Sequence, residues 1–117
     1  MRAKARRSLE AARLLLAKGF VDEAASRFYF ALFQAGVRGL EKQGNEPADF
    51  RSGATYWEHR TVARKAAHVR GEEGDRSLFG RSMALRHKAN YDPDLLERRD
   101  LDFLRFDIER FVFAVTS

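Results

Sequence analysis

The strongest constraint on the fold is that every segment of the sequence with a clear pattern has the period of an α-helix. No stretch alternates apolar and polar residues with the period of two that a β-strand shows, and only two prolines interrupt the 117 residues. Breaks in the pattern predict about five helices, near residues 4–18, 22–43, 60–69, 75–91 and 94–115. We therefore expect an all-α protein, an up-and-down helical bundle in which residues 1–117 form a single domain.

Residues that start or stop helices support these boundaries. Gly19 and Gly44 follow apolar helical stretches, where glycine commonly ends a helix because it accepts left-handed backbone angles. The carboxylate of Asp22 suits the positive end of the second helix. Pro93 cannot continue the fourth helix and biases Asp92 away from helical angles. The polar segment 45–58 is predicted to be a loop.

Two of the predicted helices are apolar on more than one side. A helix on the surface of a small bundle needs only one apolar face. The additional faces therefore indicate either helices that are central in the bundle or a surface for self-association. Because a bundle this small has few central positions, we expect a homodimer. The residues of the additional faces are Phe30, Phe33, Val37 and Leu40 in the second helix, and Phe103, Phe106 and Phe113 in the fifth.

The charge of the chain favours anionic partners. Lysine and arginine outnumber aspartate and glutamate by 22 to 17, which gives a formal net charge of +5. A positive balance of this kind suits RNA, nucleotides or an acidic protein, although it is also typical of arginine-rich genomes. The basic residues are concentrated in the first three-quarters of the chain, whereas the last part mixes both signs. An electrostatic binding site is therefore expected before the fifth helix.

Several classes of protein are excluded or disfavoured by what the sequence lacks. There is no cysteine, so disulfides, thiolate catalysis and cysteine-ligated zinc are excluded. The three histidines are scattered and predict no metal site. Neither a phosphate-binding glycine-rich loop nor a serine nucleophile elbow is present, and no cofactor is expected. No apolar run approaches the ~20 residues of a membrane span, and no signal peptide is evident, so we expect a cytoplasmic protein without membrane contact.

Two short motifs in this chain resemble those of the HEPN family of small helical proteins. They are Ala24–Gly44, which reads AASRFYFALFQAGVRGLEKQG, and Arg86–Pro93, which reads RHKANYDP. The family has a helix with small residues, paired tyrosines and a phenylalanine, then a histidine, then Arg-x-x-Ala-Asp-Tyr. The counterparts here are Ser26–Gln34, His59 and Arg86–Tyr91. The resemblance covers about residues 8–113, nearly the whole chain.

The resemblance implies a module that binds nucleotides or RNA and dimerises through a helical face. HEPN proteins are often encoded beside a minimal nucleotidyltransferase, so a partner of this kind in a toxin–antitoxin-like pair is also implied. Arg86 and His59 would flank a phosphate, with Arg81 nearby and Asn90 in the place of the family's aspartate. Tyr91 would be a candidate acceptor of a nucleotide from the partner.

Many HEPN proteins are instead metal-independent ribonucleases that carry an arginine and, further along a late helix, a histidine. Two registers compete here: Arg81 precedes His87 with five residues between, and Arg86 precedes Tyr91 with four between. In the second register tyrosine, a poor base at neutral pH because its pKa is ~10, stands where the nuclease has histidine. The candidate catalytic residues are then Arg86, His87 and Tyr91, with His87 or His59 transferring the proton. An endoribonuclease toxin is thus the alternative function, and a non-catalytic structural adaptor, whose Arg86–Tyr91 segment only caps a helix, is a third.

Overall fold

The computed structural model describes all 117 residues and shows an all-α bundle of five helices, with 73% of the chain helical and no strands. The predicted fold class is therefore confirmed. A short 3-10 helix, Pro47–Asp49, lies in the loop between the second and third helices. The helices are α1 (Arg2–Ala17), α2 (Val21–Lys42), α3 (His59–Ala66), α4 (Asp75–Tyr91) and α5 (Arg98–Thr116).

The observed helix boundaries agree with the predicted ones except in α3 and α5. The third helix ends at Ala66, three residues before the predicted end at residue 69. The fifth helix begins at Arg98 rather than near residue 94, because a capping box fixes its start: the Glu97 backbone N–H donates to Asp100 Oδ2 over 2.9 Å. Glycine takes positive φ at the end of α1, where Gly19 has φ +85° and reverses the chain into α2.

Helix α2 is the centre of the bundle and contacts each of the other four helices. Its small residues make this possible. A Cβ atom at Gly36 would lie 2.9 Å from Ala66 Cβ of α3, and one at Gly39 would lie 2.6 Å from Val69 Cγ1. The second apolar face of α2 is therefore covered within the chain, where its residues are buried or half-buried. This face leaves only parts of Phe30 and Phe33 accessible to a partner, so the predicted homodimer needs a further apolar surface.

The additional face of α5 remains partly open. Phe103 is 79% exposed and Phe106 is 54% exposed, whereas Phe113 is shielded by two arginines of α1. The guanidinium carbons of Arg6 and Arg13 lie 4.5 and 5.4 Å from the centre of the Phe113 ring. The homodimer thus stays a prediction that rests mainly on α5. No helix of the chain combines the length and the apolar character needed to cross a membrane.

Candidate functional site

Three side chains from three different helices meet where α2, α3 and α4 come together. The Tyr29 hydroxyl of α2 lies 2.5 Å from Nδ1 of His59, the first residue of α3. The guanidinium carbon of Arg86 in α4 lies 5.2 Å from the centre of the Tyr29 ring. Tyr29 is only 1% exposed, whereas His59 and Arg86 are half-buried. We call these three residues the Tyr29–His59–Arg86 cluster.

The hydrogen bond from Tyr29 decides which nitrogen of His59 carries a proton. A buried hydroxyl needs an acceptor, and His59 Nδ1 is the one partner of the Tyr29 hydroxyl. We assign the hydroxyl as the donor, because its proton has no other acceptor, and His59 Nδ1 as the acceptor. In the neutral imidazole the proton then resides on Nε2. His59 thus presents an N–H donor, and not a basic nitrogen, on the side of its ring away from Tyr29.

Burial keeps both partners of this hydrogen bond neutral at physiological pH. Burial lowers the pKa of His59 from its ordinary value, and the positive charge of Arg86 lowers it further. Burial also raises the pKa of Tyr29 to about 12, although Arg86 acts in the opposite direction. Arg86 is consequently the one charged residue of the cluster at physiological pH.

No carboxylate neutralises Arg86. It is absent from the ion pairs of the chain, and its Nε is buried without a hydrogen-bond partner. A half-buried guanidinium with no counter-ion in the protein is energetically unfavourable, since buried charges are normally paired. An anion that bound beside Arg86 and the Nε2–H of His59 would relieve this imbalance.

Aromatic rings hold the cluster in place. The Phe33 ring stacks on His59 with the ring centres 4.3 Å apart. Phe30 faces Arg86, whose guanidinium carbon lies 5.0 Å from its ring centre, and Arg27 lies 6.0 Å away from the same ring. Phe30 is only half-buried, so part of its ring remains accessible next to two cations.

Asn90 lies next to the cluster on α4, one helical turn beyond Arg86. The Ser26 hydroxyl donates to Asn90 Oδ1 over 3.1 Å, which ties α2 to the end of α4. Both residues line an open cavity that Phe30 and Arg27 also line. The structure therefore brings together His59, Arg86 and Asn90, three of the residues predicted from the sequence.

Arg81 lies elsewhere, contrary to our expectation that it would be near Arg86. The two are five positions apart, which places them about 140° apart around the helix. Arg81 donates from Nε to Ser77 Oγ over 3.1 Å and lines a separate cavity at the start of α4. That cavity contains balanced charges, including the ion pair of Arg70 with the buried Asp75. Arg81 is thus outside the Tyr29–His59–Arg86 cluster.

His87 and Tyr91 form a second pair on an exposed face of α4. Their ring centres are 4.7 Å apart, and Tyr91 is 74% exposed. His87 follows Arg86 directly in the sequence, which places the two about 100° apart around the helix. The guanidinium of Arg86 packs on the rings of α2, whereas His87 contacts Tyr91. Within one chain, neither Arg81 nor Arg86 shares a site with His87, so neither register assembles an arginine–histidine pair.

Sequence reasoning missed Tyr29 as a member of the site. Tyr29 belongs to the aromatic motif of the second helix, but no sequence pattern predicts its contact with His59, which lies 30 residues later. The one hint was a polar hydroxyl on a helix face that is otherwise apolar. No group of histidine, cysteine, aspartate and glutamate side chains is arranged to hold a metal ion.

Comparison with known proteins assigns no family to the chain. No family model matches it, and neither the curated proteins nor the solved structures include a significant match.

Proposed function

We propose that this chain is a HEPN-like module that binds the phosphate of a nucleotide or of RNA at the Tyr29–His59–Arg86 cluster. The observation that carries the proposal is His59, hydrogen-bonded through Nδ1 to Tyr29, together with Arg86, whose buried Nε has no hydrogen-bond partner and which forms no ion pair. The two groups offer donors of complementary kinds: a directional N–H from the imidazole and a charged fork from the guanidinium.

The start of α3 adds to this site. His59 is the first residue of the helix, and the first backbone N–H groups of a helix have no acceptor within it. Together with the helix dipole, they favour an anion at this end. The half-buried ring of Phe30 beside Arg86 provides a surface on which a base can stack.

An endoribonuclease is the alternative, because an imidazole and an arginine do meet in this cluster. A general base would need an unprotonated nitrogen facing the substrate. With Tyr29 as the donor to Nδ1, the proton of neutral His59 lies on Nε2, which then cannot act as a base. This favours binding over cleavage, and the same conclusion follows if the substrate approaches His87, which lies away from Arg86.

Pairing with a minimal nucleotidyltransferase is part of the proposal and is supported by the exposure of Tyr91. Transfer of a nucleotidyl group to the tyrosine hydroxyl forms an ester bond and releases pyrophosphate from the nucleoside triphosphate. Tyr91 is 74% exposed at the end of α4, so a partner enzyme can reach its hydroxyl. A mass increase of one nucleotidyl group in the wild type but not in Tyr91→Phe, after coexpression with such an enzyme, would support it.

Binding is tested by fluorescence polarisation with a labelled nucleotide and a labelled single-stranded RNA. A hydrogen bond to a charged group contributes about 1.5–3 kcal/mol, so Arg86→Ala should weaken binding by roughly 10- to 100-fold. Arg76→Ala is the matched control, since Arg76 is an exposed arginine on the same helix. Equal losses in both variants would contradict a defined site, and metal-free cleavage that depends on His59 would establish the ribonuclease.

A further inference from the structure

We infer that the edge of the α1–α2 hairpin is a second binding site, which extends the phosphate site into a path for single-stranded nucleic acid. The inference deepens the proposed function and rests on it for the first phosphate. The site is an open cavity between the two helices that is lined by the cations Lys4, Arg7 and Arg27 and by Ser8, Ala11 and Gln34. We call it the hairpin groove.

The hairpin groove is positive along its length and contains no acidic side chain. None of its three cations takes part in an ion pair within the chain. Its polar floor is ordered: the Ser8 hydroxyl donates to Gln34 Oε1 over 2.7 Å. Because Gln34 accepts with its oxygen, its amide N–H groups remain as donors. Cations without acidic partners and neutral donors are the groups that a phosphodiester backbone requires.

Arg27 connects the hairpin groove to the Tyr29–His59–Arg86 cluster. It lines the hairpin groove and also the cavity that contains Phe30 and Asn90. Phe30 is near both Arg27 and Arg86, with the guanidinium carbons 6.0 and 5.0 Å from its ring centre. Proteins that bind single strands combine positive charge along the backbone with aromatic rings on which bases stack.

The groups around the groove define the direction of the path. Asp22 and Glu23 line the same cavity as Phe30 and Asn90, towards the start of α2, and the Asp22 carboxylate accepts a hydrogen bond from the backbone of Leu96. These carboxylates disfavour an anion at that end. The strand would therefore run from Arg86 over Phe30 to Arg7 and not towards Glu23.

The inference predicts that affinity for single-stranded RNA rises with length and that this gain depends on the hairpin groove. The probes are uridine monophosphate and a series of labelled oligouridylates. In the double variant Lys4→Ala, Arg7→Ala, binding of the monophosphate should be unchanged, while the gain with length should be lost. The slope of log affinity against log salt should fall by about 1.4, at ~0.7 for each phosphate contact to a single strand. The matched control is Lys18→Ala, Arg76→Ala, which removes two exposed cations outside the groove.

The outcomes separate the groove from the phosphate site. Equal losses in the control variant would overturn the groove in favour of a diffuse basic surface. Competition by polyglutamate as effective as that by oligouridylate would also overturn it, because any polyanion would then suffice. If Arg86→Ala weakens the monophosphate but the groove variant binds long strands normally, the groove is refuted and the phosphate site stands. If the monophosphate does not bind but the groove variant alone loses affinity for strands, the groove stands and the phosphate site is refuted.

Discussion

Replacing Tyr29 by phenylalanine tests the hydrogen bond on which the site depends. The change keeps the ring, which is 1% exposed, and removes only the hydroxyl that donates to His59 Nδ1. One hydrogen bond contributes about 1 kcal/mol net to stability. His59 is half-buried, so water can replace part of the lost contact. We therefore expect the free energy of unfolding of Tyr29→Phe to be lower by about 1 kcal/mol at neutral pH.

At high pH the wild type should lose its advantage in stability over Tyr29→Phe. Burial raises the pKa of Tyr29 from its ordinary value of 10.0 to about 12, so the folded state favours the neutral phenol. This contribution is complete below pH ~10 and is lost as pH rises through ~12. A shift of two units corresponds to about 2.7 kcal/mol. Solvent near the half-exposed neighbours of the hydroxyl screens this contribution. We therefore expect the free energy of unfolding of the wild type to fall by about 1–2 kcal/mol over this pH range.

Urea denaturation followed by circular dichroism measures the difference between wild type and Tyr29→Phe. Every other ionisable group is common to both proteins, so its contribution cancels in the difference. The wild type should be more stable by about 1 kcal/mol at neutral pH, and this advantage should vanish or reverse by pH ~12. A difference that stays constant over the whole range would refute the buried, hydrogen-bonded hydroxyl. Nitrogen NMR of His59 in the wild type should show the proton on Nε2.

Three further predictions concern packing, charge and assembly. Gly39→Ala would place a methyl group 2.6 Å from a valine side chain, so it should destabilise the fold by about 1–3 kcal/mol in thermal denaturation. Gly80→Ala has open space around the new methyl group and should stabilise α4 by about 0.5–1 kcal/mol in the same assay. Asp75→Asn removes the buried carboxylate that pairs with the half-buried Arg70, so it should lower the free energy of unfolding by about 3 kcal/mol, measured in urea. An unchanged value would mean that the ion pair contributes no net stability. Sedimentation equilibrium should give about twice the 13.5 kDa of one chain, and Phe103→Ser with Phe106→Ser should return it to a monomer; a monomeric wild type would remove the dimer.

The helices could be predicted from the sequence because the signals that fix them are local. Gly19 ends α1 through its own backbone angles, and Pro93 ends α4 by steric exclusion. The start of α5 was predicted four residues early because Glu97 and Asp100 form their capping box only once the chain turns there. Because the capping box consists of polar side chains, it leaves no mark in the apolar pattern from which the start of the helix was predicted.

The centrality of α2 could not be predicted, because it depends on what packs against the helix and not on the helix itself. Two apolar faces fit a central helix and an interface equally well. Gly36 and Gly39 favour the first, since both lie where α3 or the loop after it approaches within 3 Å of a virtual Cβ. Glycines on an apolar helix face were therefore the available signal for close packing within the chain.

The candidate site was only partly predictable for a related reason. Arg86 and Asn90 lie on one face of α4 by helical spacing, so their proximity follows from the sequence. Arg81 fails the same test, because five residues rotate it to another face. The meeting of Tyr29 with His59 joins two helices through a loop of 16 residues, and its geometry is a property of tertiary packing. The sequence can supply candidates for such a contact but not the contact itself.

The pH dependence of the site separates the two functions, because protonation of His59 strengthens the binding of an anion but removes the base that cleavage requires. Burial and Arg86 lower the pKa of His59, and a phosphodiester bound at Nε2–H would favour the protonated ring and raise it again. By linkage, affinity for a diester should rise as pH falls below ~6.5, whereas cleavage with His59 as the base should slow in the same range. A diester is required as the probe, since a phosphate monoester itself titrates near pH ~6. His59→Gln should remove the pH dependence of binding, while Arg86 keeps its charge throughout this range. Affinity that is independent of pH in the wild type would show that the imidazole does not contact the phosphate.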